Sequence, residues 1–397
     1  MEEEEDDEMD TNGLRRDLHA LRERDAALDA LCEEIQKSAA ASAAEEFAEE
    51  EMKALRGVLH GRLRVLVTGS AGYLGSALYL TLQRLGVPVV GIDVVRGKED
   101  MATVDVVADI ADVDAMRRCG ADCGAIFHCA ALHAPHATSW HRRDFMSTNV
   151  HGTENLLSLG LPLVFTSTTS LTISARVKAR ERAGELVWLD ERSQRPDIDA
   201  GDTQYDETLD APRNKYGYTK MLAEQRCLSA MSAPVVVLRT PRFFPEDVHE
   251  SRDSSTSLLA NIKANELLGR RCALVDIISA HLSALARIKQ LHGSLFTLAP
   301  PWPLRCGRPG SGCCSARDAA AALRSHFPHA EDIFAKHGWR LPDAITRVYD
   351  CSAAQLKLGW RPRVTFESLL QVLMENETVA DRLHRQRLFD AVLRGAY

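Results

Sequence analysis

The chain has 397 residues, long enough to bury a full α/β core, and its 45% hydrophobic and 26% charged content is that of an ordinary globular protein. A formal net charge of -8 argues against a broad nucleic-acid surface, and no apolar run approaches the ~18 residues that cross a membrane. Ten cysteines, at 32, 119, 123, 129, 227, 272, 306, 313, 314 and 351, lack CxxC pairing and metal-ligand spacing, so free thiols in a reducing compartment, the cytoplasm, are expected.

Residues 1–60 stand apart. Glu2 to Glu8 is almost wholly acidic, unlike a targeting peptide. Leu14, Leu21, Leu28 and Ile35 then recur every seven residues, with Leu18 four after Leu14, which predicts a helix carrying a short coiled-coil seam. Asp25 interrupts that seam, and Ala39 to Glu51 is mostly alanine and glutamate. The stretch reads as a solvated appendage, with homodimer formation or docking of a partner as the alternative.

From Arg64 onward, strand-like apolar runs alternate with helical patterns: Val65–Val67, Val87–Ile92, Val104–Val107, Ala125–Cys129, Leu163–Thr166 and Val235–Leu238. Six such runs predict an α/β fold, a doubly wound parallel sheet over residues 61–240, with ligands beyond the carboxyl ends of the strands. The first run leads into Thr68-Gly69-Ser70-Ala71-Gly72-Tyr73-Leu74-Gly75 and then a helical pattern. Strand, glycine turn and helix in that order suit a pyrophosphate, because Gly69, Gly72 and Gly75 allow a tight turn and close approach while the helix N-terminus offers N–H groups. Tyr73 and Leu74 belong to the same turn. Asp93 closes the second run eighteen positions after Gly75, where a ribose-binding carboxylate belongs.

Further segments follow the later runs. Asp109-Ile110 ends the third, His128-Cys129-Ala130-Ala131 the fourth, and Asn149-Val150-His151-Gly152-Thr153-Glu154-Asn155-Leu156-Leu157 reads as a helix. The fifth run ends in Thr166-Ser167-Thr168-Thr169-Ser170. Residues 171–214 are charge-rich and read as a surface insertion holding a short Val187-Trp188-Leu189 element. Tyr216 and Lys220, four apart at the start of the next helix, share one face. Past Arg239 the alternation weakens, which predicts a smaller C-terminal substrate lobe over 241–397.

Together these segments resemble the extended short-chain dehydrogenase/reductase family, in its nucleotide-sugar epimerase and dehydratase branch, over roughly residues 62 to 375. The resemblance implies NAD as cofactor, with Asp109 and Ile110 beside adenine and the small Ala130 and Ala131 leaving it room. It implies that Asn149 helps hold the active-site geometry and that Ser167 sits beside the nicotinamide. Thr168 falls at the catalytic hydroxyl, with the register open by one residue, and Tyr216 and Lys220 complete the catalytic set.

The chemistry asks for these residue types. A tyrosine with an unperturbed pKa near 10 is a poor base at neutral pH unless positive charge favours the phenolate, which Lys220 and the oxidised nicotinamide would supply. Thr168 would hydrogen-bond the reacting oxygen. Two departures bear on the substrate. Arg242, in Arg239-Thr240-Pro241-Arg242-Phe243-Phe244-Pro245, replaces the asparagine with which such epimerases contact the substrate's diphosphate side, and no Asp-Glu pair follows Thr168 as in 4,6-dehydratases. Epimerisation of a nucleotide sugar is therefore expected. An alcohol dehydrogenase for another small molecule and a noncatalytic NAD-binding interaction protein are the rivals.

Overall fold

A computed structural model describes residues 26–59, 61, 64–96, 102–133, 139–193, 207–244, 256–304 and 315–375. The expected seam positions Leu14, Leu18 and Leu21, the side chain of Leu28, and Asp25, Lys98, Cys306, Cys313 and Cys314 lie outside the described residues. The leader forms α1 (Ala26–Glu46) and α2 (Glu49–Leu59). Glu49, Glu50 and Glu51 in the first turn of α2 and Arg56 in its last complement the helix dipole.

The Rossmann part runs β1 (Arg64–Thr68), α3 (Tyr73–Arg84), β2 (Val89–Asp93), β3 (Val106–Val107), α4 (Val113–Gly120) and β4 (Cys123–His128). It continues with α5 (Arg142–Met146), a π turn at Ser147–His151, α6 (Gly152–Leu157) and β5 (Leu163–Thr168). Next come α7 (Ala175–Arg182), β6 (Val187–Leu189), α8 (Glu207–Asp210), α9 (Lys215–Leu228), β7 (Val235–Thr240) and β8 (Arg242–Phe244). The remainder is α10 (Thr256–Glu266), β9 (Arg271–Ala273), α11 (Leu274–Ala286), β10 (Ser294–Thr297), α12 (Ala316–His326), α13 (Ala330–Lys336), β11 (Arg347–Tyr349) and α14 (Phe366–Glu375).

Seven parallel strands order as β10-β7-β5-β4-β1-β2-β3. The order reverses between β1 and β4, and a ligand crevice forms beyond the strand ends at such a switch point. Strands β1, β4, β5 and β7 are buried on both faces, as their continuous apolar text requires. Helices α4, α6 and α9 cover one face and α3 and α11 the other. All six runs read from the sequence lie in this sheet. The seventh strand, β10, does not stand out in the sequence, and with α11 it returns the chain to the sheet well past residue 240.

Residues 26–59 of the leader are not an appendage. Ile35, Ala40, Ala43, Leu55, Val58 and Leu59 are buried, and five of them join the same apolar cluster as Leu78, Phe127 and Ile277. Helix α1 lies across α3 and α11, and α2 lies on α11 and reaches β4 between them. The small Ala40 and Ala43 let α1 approach closely. Arg363 ties the far end of the chain to the same helix through Ser42 and Glu46.

Residues 171–193 also differ from a surface insertion, because β6 pairs with β11 and Leu186 enters the core of the second lobe. That core gathers Phe244, Leu267, Trp302, Leu323, Phe334 and Leu369. Of the described cysteines, Cys123, Cys227, Cys272 and Cys351 are buried and Cys119 and Cys129 are partly exposed. Among the described residues no helix is long and apolar enough to cross a membrane, and no cluster of three metal-ligating side chains occurs.

Candidate functional site

The glycine turn follows β1 directly. Gly69 has φ of +69°, and a Cβ there would lie 2.7 Å from the Ala130 nitrogen. A Cβ on Gly75 would meet the Gly69 carbonyl oxygen at 2.1 Å, so α3 crosses the turn at backbone distance. Gly72 caps α3 without a side chain, which leaves the first N–H groups of the helix to a ligand. Tyr73 and Leu74 are buried in the first turn of α3, and the Tyr73 ring lies 6.1 Å from that of Phe243. Asp93 at the end of β2 turns toward the loop. Its Oδ2 accepts from the Ala71 N–H at 3.0 Å and its Oδ1 from the Val95 N–H at 3.3 Å.

The turn after β4 is locked to the end of β1. His128 Nδ1 is 2.8 Å from Thr68 Oγ1 and its Nε2 is 2.9 Å from Thr153 Oγ1. Thr153 Oγ1 donates to the Asn149 carbonyl, so it accepts from His128, which carries its proton on Nε2. Burial, reinforced by the charge of Lys220, holds His128 well below the usual imidazole range and keeps it neutral. Thr68 Oγ1 also accepts from the Ala130 N–H at 3.2 Å, which fixes the Ala130–Ala131 turn.

Tyr216 and Lys220 lie on α9, whose start is capped by Asn214 accepting from the Gly217 N–H at 2.8 Å. Lys220 is 2% exposed. Its Nζ donates to the Thr166 carbonyl at 2.7 Å and sits 3.9 Å from the centroid of the Phe165 ring. Burial pushes the Lys220 ammonium down to about 8, partly offset by Cys227, Cys129 and Glu224. Thr168 ends β5, and its Oγ1 accepts from the Ser170 N–H at 3.1 Å, which leaves the hydroxyl hydrogen to donate. The Tyr216 ring is buried with Leu132 and Phe145, and His133 stacks on it at 5.5 Å with an 18° interplanar angle.

Other expected residues are engaged elsewhere. Ser167 Oγ donates to Glu224 Oε2 at 2.9 Å, which commits this hydroxyl to a buried ion pair rather than to the strand face of Thr166 and Thr168. Asn149, inside the π turn, accepts from the Leu132 N–H at 2.8 Å and donates to the Leu132 carbonyl and Thr219 Oγ1. It braces the loop after β4 against α9. Asp109 Oδ1 accepts from the Ala111 N–H at 2.9 Å, and Ile110 is buried against Gly152. A groove of ≈ 670 Å³ beside the ends of β2 and β3 is lined by Val94, Val107, Ala108 and Asp109, but not by Tyr216 or Lys220. Arg242 stands on β8 with its side chain 64% exposed and 3.8 Å from Glu266.

A model of the NAD dependent epimerase/dehydratase family matches residues 65–279. The chain belongs to that family. The glycine turn that admits no Cβ, the carboxylate of Asp93 against it, and the buried Lys220 fit this NAD-dependent enzyme's cofactor. Among solved structures it is similar to the Helicobacter pylori ADP-L-glycero-D-manno-heptose-6-epimerase, at 18% identity and TM-score 0.52 over 83% of this chain and 98% of that one. It is also similar to UDP-glucose-4-epimerase from Stenotrophomonas maltophila, solved with NAD and formylated UDP-arabinopyranose, at 20% identity and TM-score 0.51 over 78% and 96%. A short-chain dehydrogenase/reductase superfamily protein from Agrobacterium tumefaciens with bound NAD matches at 18% identity and TM-score 0.50 over 82% and 99%. At such identities the likeness is one of fold. No curated protein matches the chain.

Two features of this family member escape the motif reading. Glu224 follows Lys220 by four residues, as Lys220 follows Tyr216, and that spacing was the available signal for its place on the same helix face. Nothing in the sequence signals that Arg239, between apolar strand residues, would be its partner.

Proposed function

We propose that this enzyme epimerises a nucleotide sugar, with Thr168, Tyr216 and Lys220 as its catalytic set. The observation that carries the reading is the anchoring of Lys220 at the end of β5. Lys220 Nζ is anchored on the Thr166 carbonyl, Tyr216 lies one helical turn before it, and Thr168 keeps a free hydroxyl hydrogen two residues after Thr166.

Bound NAD supplies the acceptor and donor of hydride. Tyr216 would take the proton of the sugar hydroxyl on oxidation and return it when the other face of the ketone is reduced. Lys220 favours the phenolate by its charge, and Thr168 donates a hydrogen bond to the reacting oxygen. Gly69, Gly72 and Gly75 would receive the pyrophosphate and Asp93 the adenosine ribose. Asp109 and Ile110 would lie beside adenine and Ala130 and Ala131 would leave the cofactor room, while Ser167 on Glu224 and Asn149 on Leu132 and Thr219 would hold the site's framework. Arg242, exposed on β8, stands in place of the family's substrate-contacting asparagine and would meet the anionic side of the substrate.

A thermal-shift screen of nucleotide sugars in the presence of NAD tests the reading. A ligand at 100 times its Kd stabilises by about 2.7 kcal/mol. The selected sugar should be converted to an epimer with no net NADH. Net NADH would instead support an alcohol dehydrogenase acting on another small molecule.

A further inference from the structure

The glycine turn is gripped from behind by the leader. Gln36 on α1 is 6% exposed, and its Nε2 donates to the Tyr73 carbonyl at 3.0 Å and to Ser76 Oγ at 2.6 Å. Ser76 Oγ donates onward to the Gly72 carbonyl at 2.8 Å. Amide, hydroxyl and glycine carbonyl form one buried hydrogen-bond chain from the leader into the turn.

Packing alone does not call for an amide at this position. Ile35, Ala40 and Ala43 pack the helix through apolar contacts, and burying an amide beside them costs free energy unless it is paired. The pairing found is specific to the first turn of α3. Gly72 and Tyr73 are the residues whose conformation aims the first N–H groups of that helix.

We propose that Gln36 is a positioning residue for NAD: through Ser76 and Tyr73, the leader holds the glycine turn in the conformation that binds the pyrophosphate. The proposal rests on the reading of Gly69–Gly75 as the pyrophosphate site. Gln36 itself touches neither cofactor nor substrate.

The test is calorimetric titration of the full chain with NAD, with melting temperatures measured alongside. Gln36→Met keeps the length and apolar bulk of the side chain and deletes both donated bonds. Its Kd for NAD should rise about three- to tenfold, the scale of one net buried hydrogen bond. Ile35→Val, on the same helix, should lower the melting temperature and leave the Kd within about twofold. Ser76→Ala breaks the chain from the other side and keeps the question open to test if Gln36→Met does not fold. It should weaken NAD likewise, and the double variant should be no weaker than the worse single one, because both act in one chain. An unchanged Kd in Gln36→Met or Ser76→Ala, whatever happens to stability, overturns the proposal. Asp93→Ala separates the two levels. If it weakens NAD while Gln36→Met does not, only the positioning role fails; if neither weakens NAD, the site reading falls as well.

Discussion

Glu224 and Arg239 form a buried ion pair behind the end of β5, with Oε1 to Nη2 at 2.6 Å and Oε2 to Nε at 3.0 Å. Glu224 also accepts from Ser167, and Arg239 Nη1 donates to the carbonyls of Asp190, Glu191 and Ser193. One pair thus joins α9, β5, β7 and the loop after β6. Removing one charge strands the other in a dry interior. Glu224→Ala should cost about 3–5 kcal/mol, and Glu224→Met with Arg239→Met should cost less than either charge deletion alone. Denaturant titration of the two single variants and the double variant checks this.

Tyr216→Phe deletes only the phenolic oxygen. NAD affinity should stay nearly intact while turnover falls about 10²-fold or more, the scale of a lost positioned acid/base. Lys220→Met removes both a charge and the donor to Thr166, so it should weaken NAD binding and turnover together. Single-turnover rates and NAD titrations on both variants separate the two roles.

The pH dependence follows from Lys220. Burial pushes its ammonium down to about 8, whereas an unfolded lysine titrates near 10.4. Between those values the unfolded chain binds more protons, so this group makes stability rise with pH there; its burial cost is full below about 8. Activity should run the opposite way, because the charged form that favours the Tyr216 phenolate is lost. An alkaline limb in kcat/KM with an apparent pKa near 8 is expected, and a flat profile through that region would refute the role of the charge.

A chain beginning at Gly61 should not retain the native fold. It lacks Ile35, Leu55, Val58 and Leu59, all buried against the Rossmann part. At about 1.5–3 kcal/mol for each buried side chain, their loss is comparable to the whole stability of a domain. Circular dichroism and a melting curve of the shortened chain are the check. An unchanged melting temperature would contradict the packing of α1 and α2.

Cofactor preference should follow Asp93. Its carboxylate repels the 2′-phosphate of NADP, and the exposed Arg96 three residues later softens that repulsion. NAD should bind more tightly than NADP by fluorescence titration, and Asp93→Ser should narrow the gap.

Local patterns in the chain were enough for the six strand-like runs, the glycine turn, Asp93 and the Tyr216–Lys220 spacing. Each depends on neighbours within a few residues: a period of two or of four, a glycine where a Cβ would collide, an acid at a strand end. Tertiary structure decided what depends on partners far along the chain. The alanine and glutamate text of the leader is the same for a solvated helix and for one laid on α3, and only the facing surface of α3 and α11 distinguishes them. Ser167 reads as part of a hydroxyl-rich strand end, yet Glu224 and Arg239, brought together from α9 and β7, determine where its hydroxyl points. Strand β10 is four residues long and becomes a strand because the edge of β7 offers it a ladder. Burial likewise sets the proton affinity of Lys220, since the sequence names the side chain and the packed interior determines what its charge costs.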